Sequence, residues 1–459
     1  MKNTWSAWRY IFKSEDIRRM LVVTILLLVI YRLAANIPAP GIDTAVLQEL
    51  HAKSAAGGVN LFDLLDLLSG GTVSRFSILS MGVYPYITAQ IILQLLIPII
   101  PSLQRRMEEN PTEGRKWQEK WTYYLTIPMA ALSAIGQINI FNNSAQQQLG
   151  KNIVDFGFTT TQILPSITVL LAMVAGTMFA IWLGELISEY GIRGQGLSLI
   201  IFAGIVAKIP SNLTAIMLDE QNRVFMLVAM VLVIVLTIFA IVFVQQGRRN
   251  VPVMYPGRRI GSRMSMPVKA TLPLMVNMSG MIPLIFAGAI LQFPTIVSSF
   301  FLSSANPTVV QIAQGVQDTL SSSSALYWVI YFFMVVVFTF FYTDVMFAQQ
   351  NYGDNLKRVG AQIPGVNRGA PTQKYLTKVQ RRITLVGALF LGIVAVLPFA
   401  LSQLLTLFHI GTSSTTASGG LFLVSSAGLL IVVGVVRDTF STIDAELKLH
   451  GYQDSILVK

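Results

Sequence analysis

Cysteine is missing from this chain of 459 residues. Neither a disulfide framework nor a thiolate metal site can be built without it. Histidine is nearly absent too. His51, His409 and His450 lie far apart, each expected outside an apolar run, which argues against a histidine-held metal. Charge is the next scarcity. Asp, Glu, Lys and Arg make up 12% of the residues, against about 25% in ordinary soluble domains, and the interval between Arg382 and Arg437 holds none. Catalytic signatures are lacking as well: there is no Walker-type phosphate loop, no H-E-x-x-H and no G-x-S-x-G. The glycine-rich Gly191-Ile-Arg-Gly-Gln-Gly196 departs from G-x-G-x-x-G and follows an apolar run instead of a strand. It reads as a tight turn. No enzyme, cofactor or metal is indicated.

What is present is apolar length. Hydrophobic residues reach 53%. Runs able to cross a bilayer, about 20 residues each, fall at roughly 20–36, 76–99, 121–142, 163–184, 196–217, 223–245, 272–299, 324–343, 383–405 and 419–437. The expected fold class is an all-α polytopic membrane protein with ten transmembrane helices. The first run is followed by Asn36-Ile-Pro-Ala-Pro-Gly41 and not by a small-residue cleavage site, so it reads as an uncleaved span. Ahead of it, Trp5, Trp8 and Phe12 lie near Lys13, Arg18 and Arg19. They fit either an interfacial helix or an aromatic belt leading into the first span.

The cations orient the spans. Of the 33 Lys and Arg, only Arg32, Lys53, Arg75, Lys151, Lys208 and Arg223 fall on one side; the rest lie at the ends of the chain and in the connections near 100–120, 188–195, 246–271 and 344–382. Cytoplasmic loops carry the excess of Lys and Arg, so both ends and these connections are expected in the cytoplasm of a cell membrane. The connection 246–271 carries Arg248, Arg249, Arg258, Arg259, Arg263 and Lys269 with no acid. The connection 344–382 carries Lys357, Arg358, Arg368, Lys374, Lys378, Arg381 and Arg382. Topology needs far fewer charges, and a docking surface for an acidic or RNA-bearing partner is expected there. Glu185 and Asp344 sit at the ends of spans, where a carboxylate anchors a loop; mid-depth carboxylates would have suggested a proton relay.

Two further features stand out. Leu61 to Leu68 is a short amphipathic piece with Asp63 and Asp66, closed by Ser69-Gly70-Gly71 and followed by the second span. Too short to cross, it reads as a segment that enters the membrane and returns, which requires a cavity around it. The second spans of the two halves also share a pattern, Gly82-Val-Tyr-Pro85 and Gly280-Met-Ile-Pro283. Five spans per half make corresponding spans face opposite ways, and interrupted helices at matching places in inverted halves point to the functional centre. Proline removes an internal hydrogen bond, so both helices are expected to bend there.

These residues resemble the SecY family, the alpha subunits of protein-conducting translocons. The likeness runs through Ile37-Pro-Ala-Pro-Gly41, Ser69-Gly-Gly71 with Arg75-Phe-Ser-Ile78, Gly82-Val-Tyr-Pro-Tyr-Ile87, Trp182-Leu-Gly-Glu185, Ile201-Phe-Ala-Gly-Ile-Val-Ala207, Val276-Asn-Met278, Ile363-Pro-Gly365 and Leu430-Ile-Val-Val433. The resemblance implies a cytoplasmic amino-terminal helix at 1–19, inverted five-helix halves at 20–218 and 219–438 around an hourglass pore, and a cytoplasmic tail at 439–459. The connection near 210–222 would be the hinge. It implies an apolar pore ring at Val83, Ile87, Leu197, Ile201, Ile285 and Ile431. Aliphatic side chains at a constriction dewet it and yet yield to a passing chain. It implies a plug over 60–71: Asn60, Leu61, Phe62, Asp63, Leu64, Leu65, Asp66, Leu67, Leu68, Ser69 and Gly70. It implies a lateral gate at Pro85, Thr88, Gln90, Asn277 and Pro283, and docking at Arg248, Arg249, Arg258, Arg259, Arg263, Lys357, Arg358 and Arg368. The implied partners are the small subunits SecE and SecG, the motor ATPase SecA, the ribosome, signal sequences with nascent polypeptides, and membrane lipids. One departure is local: Pro364-Gly-Val-Asn-Arg-Gly369 has Asn367 where the family usually has arginine. The rival readings are a secondary transporter with an inverted repeat, which needs mid-membrane polar ligands, and an intramembrane enzyme, which needs a catalytic dyad or metal set at depth.

Overall fold

The computed structural model describes residues 14–54, 76–157, 162–217, 223–256, 259–260, 263–264, 268–302, 306–320, 324–407 and 426–449. The chain is overwhelmingly helical. In order come α1 (Glu15–Ala34), α2 (Thr44–Ser54), α3 (Tyr84–Ile99), α4 (Pro101–Glu109), α5 (Pro111–Leu149), α6 (Ile163–Tyr190), α7 (Gly196–Met217) and α8 (Arg223–Gln246). Strands β1 (Arg248–Tyr255), β2 (Arg259–Ile260), β3 (Arg263–Met264) and β4 (Val268–Met275) follow, then α9 (Ile282–Phe301), α10 (Pro307–Thr319), α11 (Ala325–Gln349), α12 (Tyr352–Arg358), α13 (Ala370–Leu407) and α14 (Ser426–Leu449). Each of the ten expected spans has its helix. Among the described residues, five stretches are long and apolar enough to cross a membrane outright: Thr112–Asn143, Ile163–Tyr190, Ile282–Phe301, Ala325–Arg358 and Ala370–Leu397. Helix α8 exposes Val228, Val231, Val235, Phe239 and Phe243, an apolar surface that only hydrocarbon or another protein can cover. The molecule is a multi-pass membrane protein.

Contacts group the chain into two compact units, one of residues 1–232, 291–327 and 398–459 and the other of 233–290 and 328–397. In the first, α3 packs on α5, α5 on α6, and α6 on both α7 and α1. A core of Ala39, Leu50, Phe76, Met81, Ile138, Phe141, Ile153 and Met173 lies at one end of these helices. Irregular backbone closes over it. The amides of Ala39 and Ile78 donate to the carbonyls of Phe76 and Ile37 at 3.0 Å each, and the Asp43 amide donates to Ile153 at 3.0 Å. The Asp43 carboxylate then caps α2, accepting from the amides of Ala45 and Val46. Asn142 of α5 staples the far strand of this clamp. Its Oδ1 accepts from the amides of Ile153 and Val154 at 3.0 and 3.1 Å, and its Nδ2 donates to the Val154 carbonyl at 2.8 Å. Gly176 lets the clamp settle on α6, because a Cβ there would come within 2.1 Å of the Ile78 carbonyl oxygen.

The second unit holds the largest departure from the pattern. The connection 246–271 is expected only as a basic cytoplasmic loop with no secondary structure assigned to it, and in it β1 and β4 pair antiparallel from Arg248↔Met275 to Tyr255↔Val268. Val251, Val253 and Leu274 point inward to meet Phe347, Leu356, Ile363, Leu376 and Val379. The alternation is visible in Val251-Pro-Val253 and Leu272-Pro-Leu274, but Pro252 and Pro273 disguise it. Prolines survive in a ribbon of two strands because each strand has an unpaired edge. A further bridge joins Met254 to Gln362. The two basic connections are thus one platform with its own core.

That hairpin also moves the start of the seventh span. A helix expected from 272 starts at Ile282, after strand and turn; the second span likewise starts at Tyr84 and not at 76. Gly82 and Gly280 both have left-handed φ, 51° and 63°, where other residues are strained. Each helix begins two residues later with a proline second in line. In the first turn the missing N–H has no helical acceptor to lose. Pro85 and Pro283 therefore initiate their helices and do not bend them, contrary to the expectation of mid-span kinks. Prolines inside the described spans include Pro128, Pro210 and Pro294, with Pro98 near the end of α3 and Pro398 in α13. Helix α7 runs to Met217, so much of the expected hinge near 210–222 is helix, and residues 218–222 lie outside the described set.

Candidate functional site

The proposed pore residues fall on four helices. Val83 is the last residue before α3 and is 2% exposed, while Ile87 is half-buried in the helix's first turn. Leu197 and Ile201 lie half-buried in the opening turns of α7. Ile431 is buried on α14, which packs against α7. Leu197 directs Cδ2 toward Gly184 of α6, where an added Cβ would stand 2.8 Å away. In the second unit Ile285 is buried in the first turn of α9. Ile87 and Ile285 share an offset from the left-handed glycines: each stands five residues after its own, Gly82 or Gly280. The same backbone device thus presents an isoleucine in the first turn of corresponding helices.

Of the residues expected at the gate, Thr88 and Asn277 make local hydrogen bonds. Pro85 sits in the first turn of α3, and the Thr88 hydroxyl donates to the Tyr84 carbonyl at 3.0 Å. Gln90 is half-buried on the same helix. Asn277, expected within the seventh helix, lies in the turn before α9. It is 3% exposed, donates Nδ2 to the Gly280 carbonyl at 3.1 Å and accepts the Ser279 hydroxyl at 3.0 Å. This side chain shapes the turn that contains the left-handed glycine. Pro283 follows as the second residue of α9.

Asn60 to Gly70 lie outside the described residues, as do Trp5, Trp8, Phe12 and Arg258. Both flanks of the expected plug are described and anchored. Leu50 of α2 is 1% exposed before it, and Phe76 after it is fully buried with a left-handed φ of 44°. The Phe76 ring meets Phe141 edge-on at 5.0 Å. No motif announces this clamp, and Asn142 does not stand out in sequence, because Gln137, Asn139 and Asn143 lie beside it.

On the platform, Arg248 and Arg249 are exposed on β1, Lys357 and Arg358 on the last turn of α12, and Arg368 in the turn before α13. Arg259 and Arg263 stand on β2 and β3. Asn367 is exposed, and its carbonyl accepts the Thr372 hydroxyl at 2.7 Å, so this position shapes the turn through its backbone. Asp344 accepts Nε and Nη2 of Arg381, the latter at 2.9 Å, tying α11 to α13. Glu185 is exposed near the end of α6. Among the described residues no group of three or more His, Cys, Asp or Glu is placed to hold a metal.

Comparison with known proteins places this arrangement among relatives. The SecY family model matches residues 77–440. The chain is 34% identical over 456 residues to the protein translocase subunit SecY of Streptomyces coelicolor, covering 98% of this chain and 99% of that one. It is 36% identical over 452 residues to the SecY subunit of Aquifex aeolicus, at 97% and 98% coverage. Among solved structures, a protein-conducting channel superposes with a TM-score of 0.62 at 17% identity, covering 95% of this chain and 94% of the other. Sec61 from a canine ribosome–channel complex superposes with a TM-score of 0.58 at 18% identity and the same coverage.

Proposed function

The chain belongs to the SecY family, and on that premise we propose how its residues divide the work of a translocation channel. It is a protein translocase subunit, the one that forms the conducting path. Unfolded preproteins cross the cytoplasmic membrane through it, and apolar segments leave sideways into lipid. Val83, Ile87, Leu197, Ile201, Ile285 and Ile431 form the apolar constriction. The observation that carries this reading is the paired offset: Ile87 and Ile285 follow left-handed glycines by the same interval on helices that begin the same way. Equivalent interruptions in inverted halves are where such folds place their functional centre. Residues 60–71 are the plug, and the clamped ends at Leu50 and Phe76 support a segment tethered on both sides. Pro85, Thr88, Gln90, Asn277 and Pro283 line the lateral gate.

Energy comes from outside the chain. SecA or the translating ribosome docks on the basic platform, SecE and SecG flank the two halves, and the platform lies in the cytoplasm with both ends of the chain. A shared apolar core beneath both basic connections supports a preformed docking surface. The test is a translocation intermediate stalled in the full complex, with photo-crosslinkers at positions 87, 201, 285 and 431 and controls at Val231 and Val235, exposed on α8. Labelling of the chain in transit is expected from the first four and not from the controls. Equal labelling from both sets would remove the constriction.

A further inference from the structure

A second site emerges on the platform, apart from the arginines of the hairpin. Helix α13 opens with Lys374, Lys378, Arg381 and Arg382, spaced to share one face over about 12 Å. They line a groove of about 740 Å³ completed by Asn351, Gly353, Asp354, Gly369, Gln373 and Thr377. Arg381 is neutralised by Asp344. Among the described residues Lys374, Lys378 and Arg382 make no ion pair, and Asp354 is the one carboxylate lining the groove. The groove therefore keeps an excess of about two positive charges and attracts an anion.

The same face continues without a break into the membrane. Below Arg382 it carries Leu385, Val386, Leu389 and Ile393, which are 49%, 61%, 43% and 58% exposed. From 385 to 393 the rise is about 12 Å, close to the depth of one leaflet of a hydrocarbon core about 30 Å thick. A cationic groove at the headgroup level above an apolar stripe one leaflet deep has the shape and polarity of an anionic phospholipid. A free phosphate would use only the groove. An RNA or an acidic protein would leave the stripe uncovered.

We infer that the groove of Lys374, Lys378 and Arg382, with the stripe from Leu385 to Ile393, is a binding site for one anionic phospholipid. The inference rests on the proposed orientation only in assigning the lipid to the cytoplasmic leaflet. Lipid in this site bridges the platform to the bilayer and holds α13 at a set depth.

The test is native mass spectrometry of the full translocase complex, purified in detergent and titrated with phosphatidylglycerol. This readout is indifferent to which side of a membrane the groove faces. The triple variant K374Q/K378Q/R382Q is expected to weaken retention at least tenfold, since a single basic residue near an anionic surface is worth roughly fivefold. L385N/L389N is expected to weaken it too, whereas K357Q/R358Q, outside the groove, is not. Phosphatidylcholine is expected not to be retained, and inorganic phosphate not to compete. Unchanged retention in the triple variant would overturn the site. Full competition by phosphate, or ribosome binding lost with lipid retention intact, would reassign the groove to a free anion or to docking.

Discussion

The clamp around residues 37–43, 76–78 and 153–154 and the platform around the β-hairpin solve one problem in opposite styles. Both support irregular backbone beside membrane helices, and both do it by burying a small apolar core. Each large side chain fully withdrawn from water contributes about 1.5–3 kcal/mol, which a loop without such a core does not have. The surfaces differ. Apart from the Asp43 carboxylate, which caps α2, the clamp closes with neutral groups: backbone pairs, the Asn142 amide and the bare face of Gly176. The platform leaves its cations outside, with Arg248, Arg249, Lys357, Arg358 and Arg368 all exposed. A tightly packed closure without exposed cations suits an anchor. A rigid core beneath exposed charge suits recognition, because the surface is held in shape before a partner arrives.

That contrast can be broken at three points. The largest effect is expected for Gly176→Val, which forces a side chain into the Ile78 carbonyl. Overpacking against backbone should cost about 3 kcal/mol or more, lowering the unfolding temperature of the purified protein and exposing the clamp to protease. An unaltered melting profile would show that the approach of α6 is not essential. Next comes Leu376→Ala in the platform core, at 0% exposure. A loss of about 2–4 kcal/mol is expected. It should raise hydrogen exchange in β1 and β4 while leaving residues 37–43 protected; equal deprotection at both sites would deny that the cores are separate. The smallest change is expected from Arg381→Gln. Its bridge to Asp344 is bidentate, but the side chains are 61% and 36% exposed, so solvent screening holds the effect to about 1 kcal/mol or less. A larger drop in denaturant midpoint would mean that the pair braces α11 against α13 more strongly than its exposure suggests.

The helices were legible wherever apolar length alone decides. Arg223–Gln246 and Gly196–Met217 match the runs read from composition almost to the residue, because a predominantly apolar stretch of that length in a membrane must satisfy its own backbone hydrogen bonds. The β-hairpin was not legible. Its alternation is interrupted by Pro252 and Pro273, and its inward face finds partners a hundred residues away in Phe347, Ile363 and Leu376. The turns at Gly82 and Gly280 were half legible. The repeated G-x-x-P was visible, but a proline that bends a helix and one that starts it look alike without the φ of the preceding glycine.

Span number, charge asymmetry, the repeated motif and family membership follow from the order of residues alone. Bilayer thickness and the cost of burying charge leave few alternatives to ten apolar helices with the cations gathered on one side. Packing decided the rest: where the second and seventh helices begin, that two basic connections are one folded platform, and that Asn142 staples a clamp. Those outcomes rest on contacts between residues distant in the chain, whose energies no local pattern records.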